Sequence, residues 1–95
     1  MGVHYTLNIS KEFLIISQKN NAPKAQLCQI FAFHGLIYFE LKDYIKSIEF
    51  YKKSLNYITD NKELSGIYKF LADAYIKVGE KDKALFYLNE SLKVK

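Results

Sequence analysis

Cys28 and His34 are the pair in this chain best suited to act as nucleophile and base, and they stand six positions apart. On a helix that separation turns the two side chains to divergent faces, out of hydrogen-bond reach of each other. His4 adds a second imidazole, but two His and one Cys at these spacings match no zinc pattern. Glu40 and Asp43 could meet as an acid pair, although at a helix end and turn, capping or solvation is the commoner use of such residues. No glycine-rich segment is arranged to cradle a phosphate. The chain therefore reads as non-enzymatic, with no metal or cofactor, and His34 reads as a satisfied, partly buried core residue.

The formal net charge of +4 comes from Lys alone, because the sequence contains no Arg. Arg is the residue that stacks on bases and grips guanine and phosphate with two hydrogen bonds, so its absence argues against a nucleic-acid partner. Lys46, Lys52, Lys53 and Lys83 fall on the outward face of their segments and are expected to form a solvated stripe. Apolar runs such as Phe13 to Ile16 are far too short to cross a bilayer, and the N-terminus carries no secretion signal. A single cysteine agrees with a reducing compartment, which makes the cytoplasm the expected location.

Hydrophobic spacing supplies the elements that must position these residues. Leu27, Ile30, Phe31, Leu36, Tyr38 and Leu41 recur at three- and four-residue intervals and predict a helix over Lys24 to Leu41, entered through Pro23. After the tight Lys42-Asp43 connection, a second helix is predicted over Tyr44 to Ile58. Asp60 or Asn61 can cap a third helix that starts near Glu63 and ends at Gly79. A fourth runs from about Asp82, its expected cap, to near the C-terminus. A helix over Leu7 to about Lys19 precedes them, and Met1 to Tyr5 carry no clear signal.

The same pattern returns after thirty-seven residues: Gly35, Tyr38, Leu41, Ser47, Tyr51 and Ser54 recur as Ala72, Tyr75, Val78, Ala84, Leu88 and Ser91. These positions resemble the tetratricopeptide repeat. Gly35 and Ala72 match the small residue at which the hairpin helices approach, Tyr38 and Tyr75 the family tyrosine, and Ser47, Ser54, Ala84 and Ser91 the small residues at helix crossings. The resemblance implies an all-α, right-handed α-solenoid of antiparallel hairpins with about five helices: a half repeat over 7–22, then full repeats over 23–59 and 60–95. The period departs from the family's usual thirty-four. Lys42 stands where Gly is common, so that the turn could straighten and permit a domain-swapped dimer. His34 stands where Leu is usual.

The resemblance further implies that the first helix of each hairpin lines a concave groove that receives a segment of a partner protein or peptide. Carried onto this chain, the groove comprises Gln29, Ala32, Phe33, Leu36, Phe39 and Glu40, then Lys69, Phe70, Asp73, Ile76 and Lys77. Phe33 and Phe70 fit equally well as core between hairpins. The Lys and Asn clamp with which one subclass holds a chaperone's C-terminal carboxylate is absent, since Ala32, Leu36 and Asp73 occupy three of its four positions. A further similarity is to the longer-period repeats of bacterial intracellular receptors for signalling peptides, of which this chain would be a fragment or stand-alone relative.

Two apolar surfaces lack an evident cover: Phe13 to Ile16 on the first helix, and Leu85, Phe86, Leu88, Leu92 and Val94 on the last. A homodimer, a partner protein or neighbouring repeats would each cover them. The competing function is accordingly a self-assembling structural module.

Overall fold

A computed structural model describes residues 3–94, with side chains from residue 7 onward. Five α-helices follow in order: α1 (Val3–Lys19), α2 (Lys24–Glu40), α3 (Tyr44–Ser54), α4 (Asn61–Lys77) and α5 (Lys81–Lys93). Among the described residues there is no strand. Two hairpins, α2 with α3 and α4 with α5, stack through α3 and α4, and α1 packs on α2.

Three of the turns share one solution. A helix end leaves carbonyls without partners, and the Schellman motif satisfies two of them by swinging one residue into the left-handed region. Asn21 (φ 55°), Lys42 (φ 64°) and Gly79 (φ 83°) are those residues. Ala22 N–H donates to the Ser17 carbonyl, Asp43 N–H to that of Tyr38 and Glu80 N–H to that of Tyr75, all at 2.9 Å. The turn at Lys42 is thus closed without Gly, and the chain doubles back as a hairpin instead of running on as one helix.

Helix starts differ in detail from the sequence expectation. Asp60 caps α4 through a 2.7 Å bond from the Glu63 N–H, and Glu63 in turn accepts from the Thr59 hydroxyl at 2.7 Å. Asp43 caps α3, accepting from the Lys46 N–H at 3.3 Å, which settles it as a capping residue. Asp82 is not a cap: α5 begins at Lys81 with Glu80 at the cap position, and Asp82 lies in the first turn, where a carboxylate favours the helix dipole. The expected helix over Tyr44 to Ile58 ends at Ser54 and tightens into a 3-10 turn, Leu55–Tyr57. At the N-terminus α1 extends back to Val3, across residues without a recognisable start signal; Met1 and Gly2 lie outside the described residues.

Small residues set the helix spacing. Ser10 and Ser17 on α1, Ser47 and Ser54 on α3, and Ala84 and Ser91 on α5 are all buried, each pair seven residues apart on one helical face. The serine hydroxyls need partners in that setting: Ser47 donates to the Gly35 carbonyl at 2.7 Å and Ser54 to that of Tyr51 at 2.6 Å, while Ser10 and Ser17 pair with the side chains of His34 and Gln26. The main core joins Ile48 and Tyr51 to Ile67, Leu71, Ala72, Ala74, Tyr75 and Ala84 across both hairpins.

Candidate functional site

The eleven predicted groove residues lie on α2 and α4, the first helices of the two hairpins. Phe33, Leu36, Phe70 and Ile76 are 45, 39, 42 and 51 % exposed, so four large apolar side chains face solvent on these two helices. Gln29, Glu40, Lys69, Asp73 and Lys77 are exposed with them, while Ala32 and Phe39 are half-buried and pack on the core. Phe70 serves both roles that the sequence left open: its ring stacks on Tyr51 at 5.4 Å between centroids, yet much of it stays accessible.

Two depressions separate α2 from α4. The first, about 230 Å³, is lined by Cys28, Gln29, Ala32, Glu63, Gly66, Ile67 and Phe70. The second, about 110 Å³, is lined by Leu36, Phe39, Glu40, Tyr51, Phe70 and Asp73. Residue numbers rise together on the two walls from one depression to the next, so α2 and α4 run parallel. Five of the eleven predicted residues meet in the second depression, and three meet in the first. Phe33, Lys69, Ile76 and Lys77 line neither.

Sequence reasoning overlooked the floor. Tyr51 belongs to α3, the second helix of its hairpin, and it reaches the depression because Gly35 opposite it has no side chain. The signal was present in the pairing of the small residues Gly35 and Ala72 with the large Tyr51 and Leu88, but its consequence for the depression requires the tertiary arrangement. Burial is the main cause that pushes the Tyr51 phenol up to about 12, with the charges of Asp73 and Glu40 adding to it against a bond to Ser47 that lowers it.

The residues with chemical potential occur away from this groove or are inert. Cys28 is buried, and that burial, followed by the Glu63 charge, raises its thiol to about 11, so it is a poor nucleophile. His34 corrects the expectation of a satisfied, partly buried residue. It is fully buried at the α1–α2 contact and stacks on Phe50 at 5.1 Å. Its Nδ1 lies 3.1 Å from Ser10 Oγ and 3.0 Å from the Ile30 carbonyl oxygen, but Nε2 has no partner among the described residues. Burial lowers its pKa most, the Ile30 bond opposes this, and the charges of Lys11 and Lys53 lower it further. Among the described residues no cluster of His, Cys, Asp and Glu could hold a metal ion.

The outward lysines fall into two groups rather than one stripe. Lys46 lies over the Tyr38 ring at 5.4 Å and Lys53 over Phe50 at 4.9 Å, whereas Lys52 and Lys83 both sit 5.6 Å from the Tyr75 centroid. All four are exposed and use aromatic faces as platforms. No described helix is long and apolar enough to cross a membrane.

Hairpin architecture with buried small residues at the crossings agrees with one known family. A tetratricopeptide repeat family model matches residues 26–95. The chain belongs to the tetratricopeptide repeat family, and its fold is the all-α, right-handed solenoid of that family. Proteins built on this repeat are in general non-enzymatic scaffolds for protein interaction. Neither the curated proteins nor the solved structures include a match to this chain.

Proposed function

We propose that this chain is a non-enzymatic scaffold that takes an apolar or amphipathic peptide segment of a partner protein on the α2/α4 face. The observation that carries the reading is the solvent exposure of Phe33, Leu36, Phe70 and Ile76 on two parallel helices with depressions between them. Apolar anchors entering such depressions would supply the affinity, and Gln29, Glu40, Lys69, Asp73 and Lys77 would form the polar rim that sets orientation. We read the chain as a half repeat, 7–22, followed by repeats at 23–59 and 60–95. A reducing compartment such as the cytoplasm suits its single free thiol.

The test is selection of binders from a displayed random peptide library, followed by fluorescence anisotropy of the selected peptides. The double substitution Leu36→Ser/Ile76→Ser should weaken them at least about tenfold, whereas Leu92→Ser on α5 should leave them unchanged. Raising salt should have little effect, unlike binding to a nucleic acid. Undiminished binding by the double variant would place the interaction elsewhere.

A second reading is favoured by the ends of the stack. Leu92 is 80 % exposed, Leu85 and Phe86 face solvent beside it on α5, and Phe13, Ile15 and Ile16 do so on α1. A self-assembling module would cover these surfaces with a second copy. Loss of assembly in Leu92→Ser with peptide capture intact would establish both activities as separate.

A further inference from the structure

The smaller depression between α2 and α4 has a composition that selects among ligands. Its floor and walls are apolar and aromatic: Leu36, Phe39, Tyr51 and Phe70. Tyr51 and Phe70 are stacked at 16° between ring planes, and Tyr51 is only 1 % exposed. The only charged groups in the lining are two carboxylates, Glu40 and Asp73, one from each hairpin. Both are exposed, and among the described residues neither has an ion-pair partner. Glu40 is also the last residue of α2, at the negative end of the helix dipole. Lys69 and Lys77 stand one turn to either side of Asp73 on α4 but do not line the depression.

A neutral apolar side chain would bury against the rings at the expense of leaving two carboxylates facing it. An acidic one would be repelled by both. A cation on an alkyl stem satisfies all of the walls at once: the stem packs on Leu36, Phe39 and the accessible part of Phe70, and the charge meets the two carboxylates. We infer that the Leu36–Phe39–Tyr51–Phe70 depression, closed by Glu40 and Asp73, is a pocket for a basic side chain, Lys or Arg, of the bound partner segment. The inference rests on the groove reading above and gives that groove its specificity: a basic anchor between apolar neighbours. Its volume of about 110 Å³ admits one side chain and no more.

Two experiments separate this pocket from the groove that contains it. In the first, ¹⁵N-labelled protein is titrated with n-butylammonium, and in parallel with 1-butanol, its neutral counterpart. The ammonium should give saturable amide shifts confined to residues around Glu40, Tyr51, Phe70 and Asp73, about tenfold stronger in affinity than the alcohol. Glu40→Gln/Asp73→Asn should remove that preference while leaving the circular dichroism spectrum unchanged, because both side chains are exposed. In the second, peptides selected on the native protein should carry Lys or Arg at one fixed position, and this preference should vanish in selections on the Gln/Asn variant. Selected peptides with no basic position, still sensitive to Leu36→Ser/Ile76→Ser, would overturn the cation pocket and keep the groove. Equal shifts with both probes would overturn it as well. No selected peptide and no localised shift would overturn both readings.

Discussion

Adding a single methyl group at Gly35 should destabilise this protein, although the same change at Gly66 should stabilise it. Both glycines lie inside helices, where exchange for Ala gains about 0.5–1 kcal/mol in backbone entropy. A Cβ on Gly35 would stand 2.6 Å from Cδ1 and Cε1 of the Tyr51 ring and 3.0 Å from Cγ. Those are distances that carbon atoms do not share, so the ring or α2 must move. Tyr51 cannot move freely, being almost fully buried and stacked on Phe70. Overpacking of this kind costs roughly 1–3 kcal/mol, which set against the helix gain leaves a net loss centred near 1 kcal/mol, and at most about 2.5, for Gly35→Ala. In a domain of this size that lowers Tm by roughly 5–15 °C. A Cβ on Gly66 meets nothing within 4 Å, so Gly66→Ala should keep its gain of about 0.5–1 kcal/mol. Thermal unfolding followed by circular dichroism, with urea unfolding at 25 °C as a second measure, reads both changes. Equal or higher stability of Gly35→Ala would refute the close approach of α2 and α3 at this point.

Lys42 occupies the left-handed region at a cost that Gly would not bear, so Lys42→Gly should raise the urea midpoint by the equivalent of about 0.5–1 kcal/mol and leave the solution mass unchanged. Removing the α4 cap by Asp60→Ala should cost about 1 kcal/mol in the same assay. His34 has a folded-state pKa below its unfolded value of about 6.5, so the unfolded chain takes up the proton first. Stability should therefore be full above about pH 6.5 and fall as the pH drops through the depressed folded value, visible in urea unfolding at pH 7.5 against pH 5.5. His34→Leu should remove this His34 component and, by deleting a buried acceptor without a partner, raise stability at neutral pH by about 1 kcal/mol after the loss of the Ser10 contact. A variant that keeps the native pH slope would assign the slope to other groups.

What was readable from residues alone follows from which features are local. The periodic apolar positions and the recurrence of Gly35 as Ala72 and Ser47 as Ala84 specify two hairpins, because helix faces repeat every three to four residues and crossings demand small side chains. Gly79 and Pro23 likewise announce their boundaries through backbone geometry that belongs to single residues. Lys42 did not announce its left-handed turn, since that conformation is imposed on it by the packing of α2 against α3. Asp82 looked like a cap, but α5 starts at Lys81 and the cap position falls two residues earlier, at Glu80, because the preceding turn decides the register.

The sequence by itself determined the helices, their pairing and the faces they turn outward, since these depend on spacing along one chain. Only the tertiary structure decided that Tyr51 of α3 floors a depression between α2 and α4, that Glu40 and Asp73 from different hairpins share it, and that His34 is sealed with one nitrogen unpaired among the described residues. Those facts depend on how closely two helices approach and on which residues of separate hairpins become neighbours. Distances of that kind are set by the combined packing of every side chain between the helices, and no local pattern encodes them.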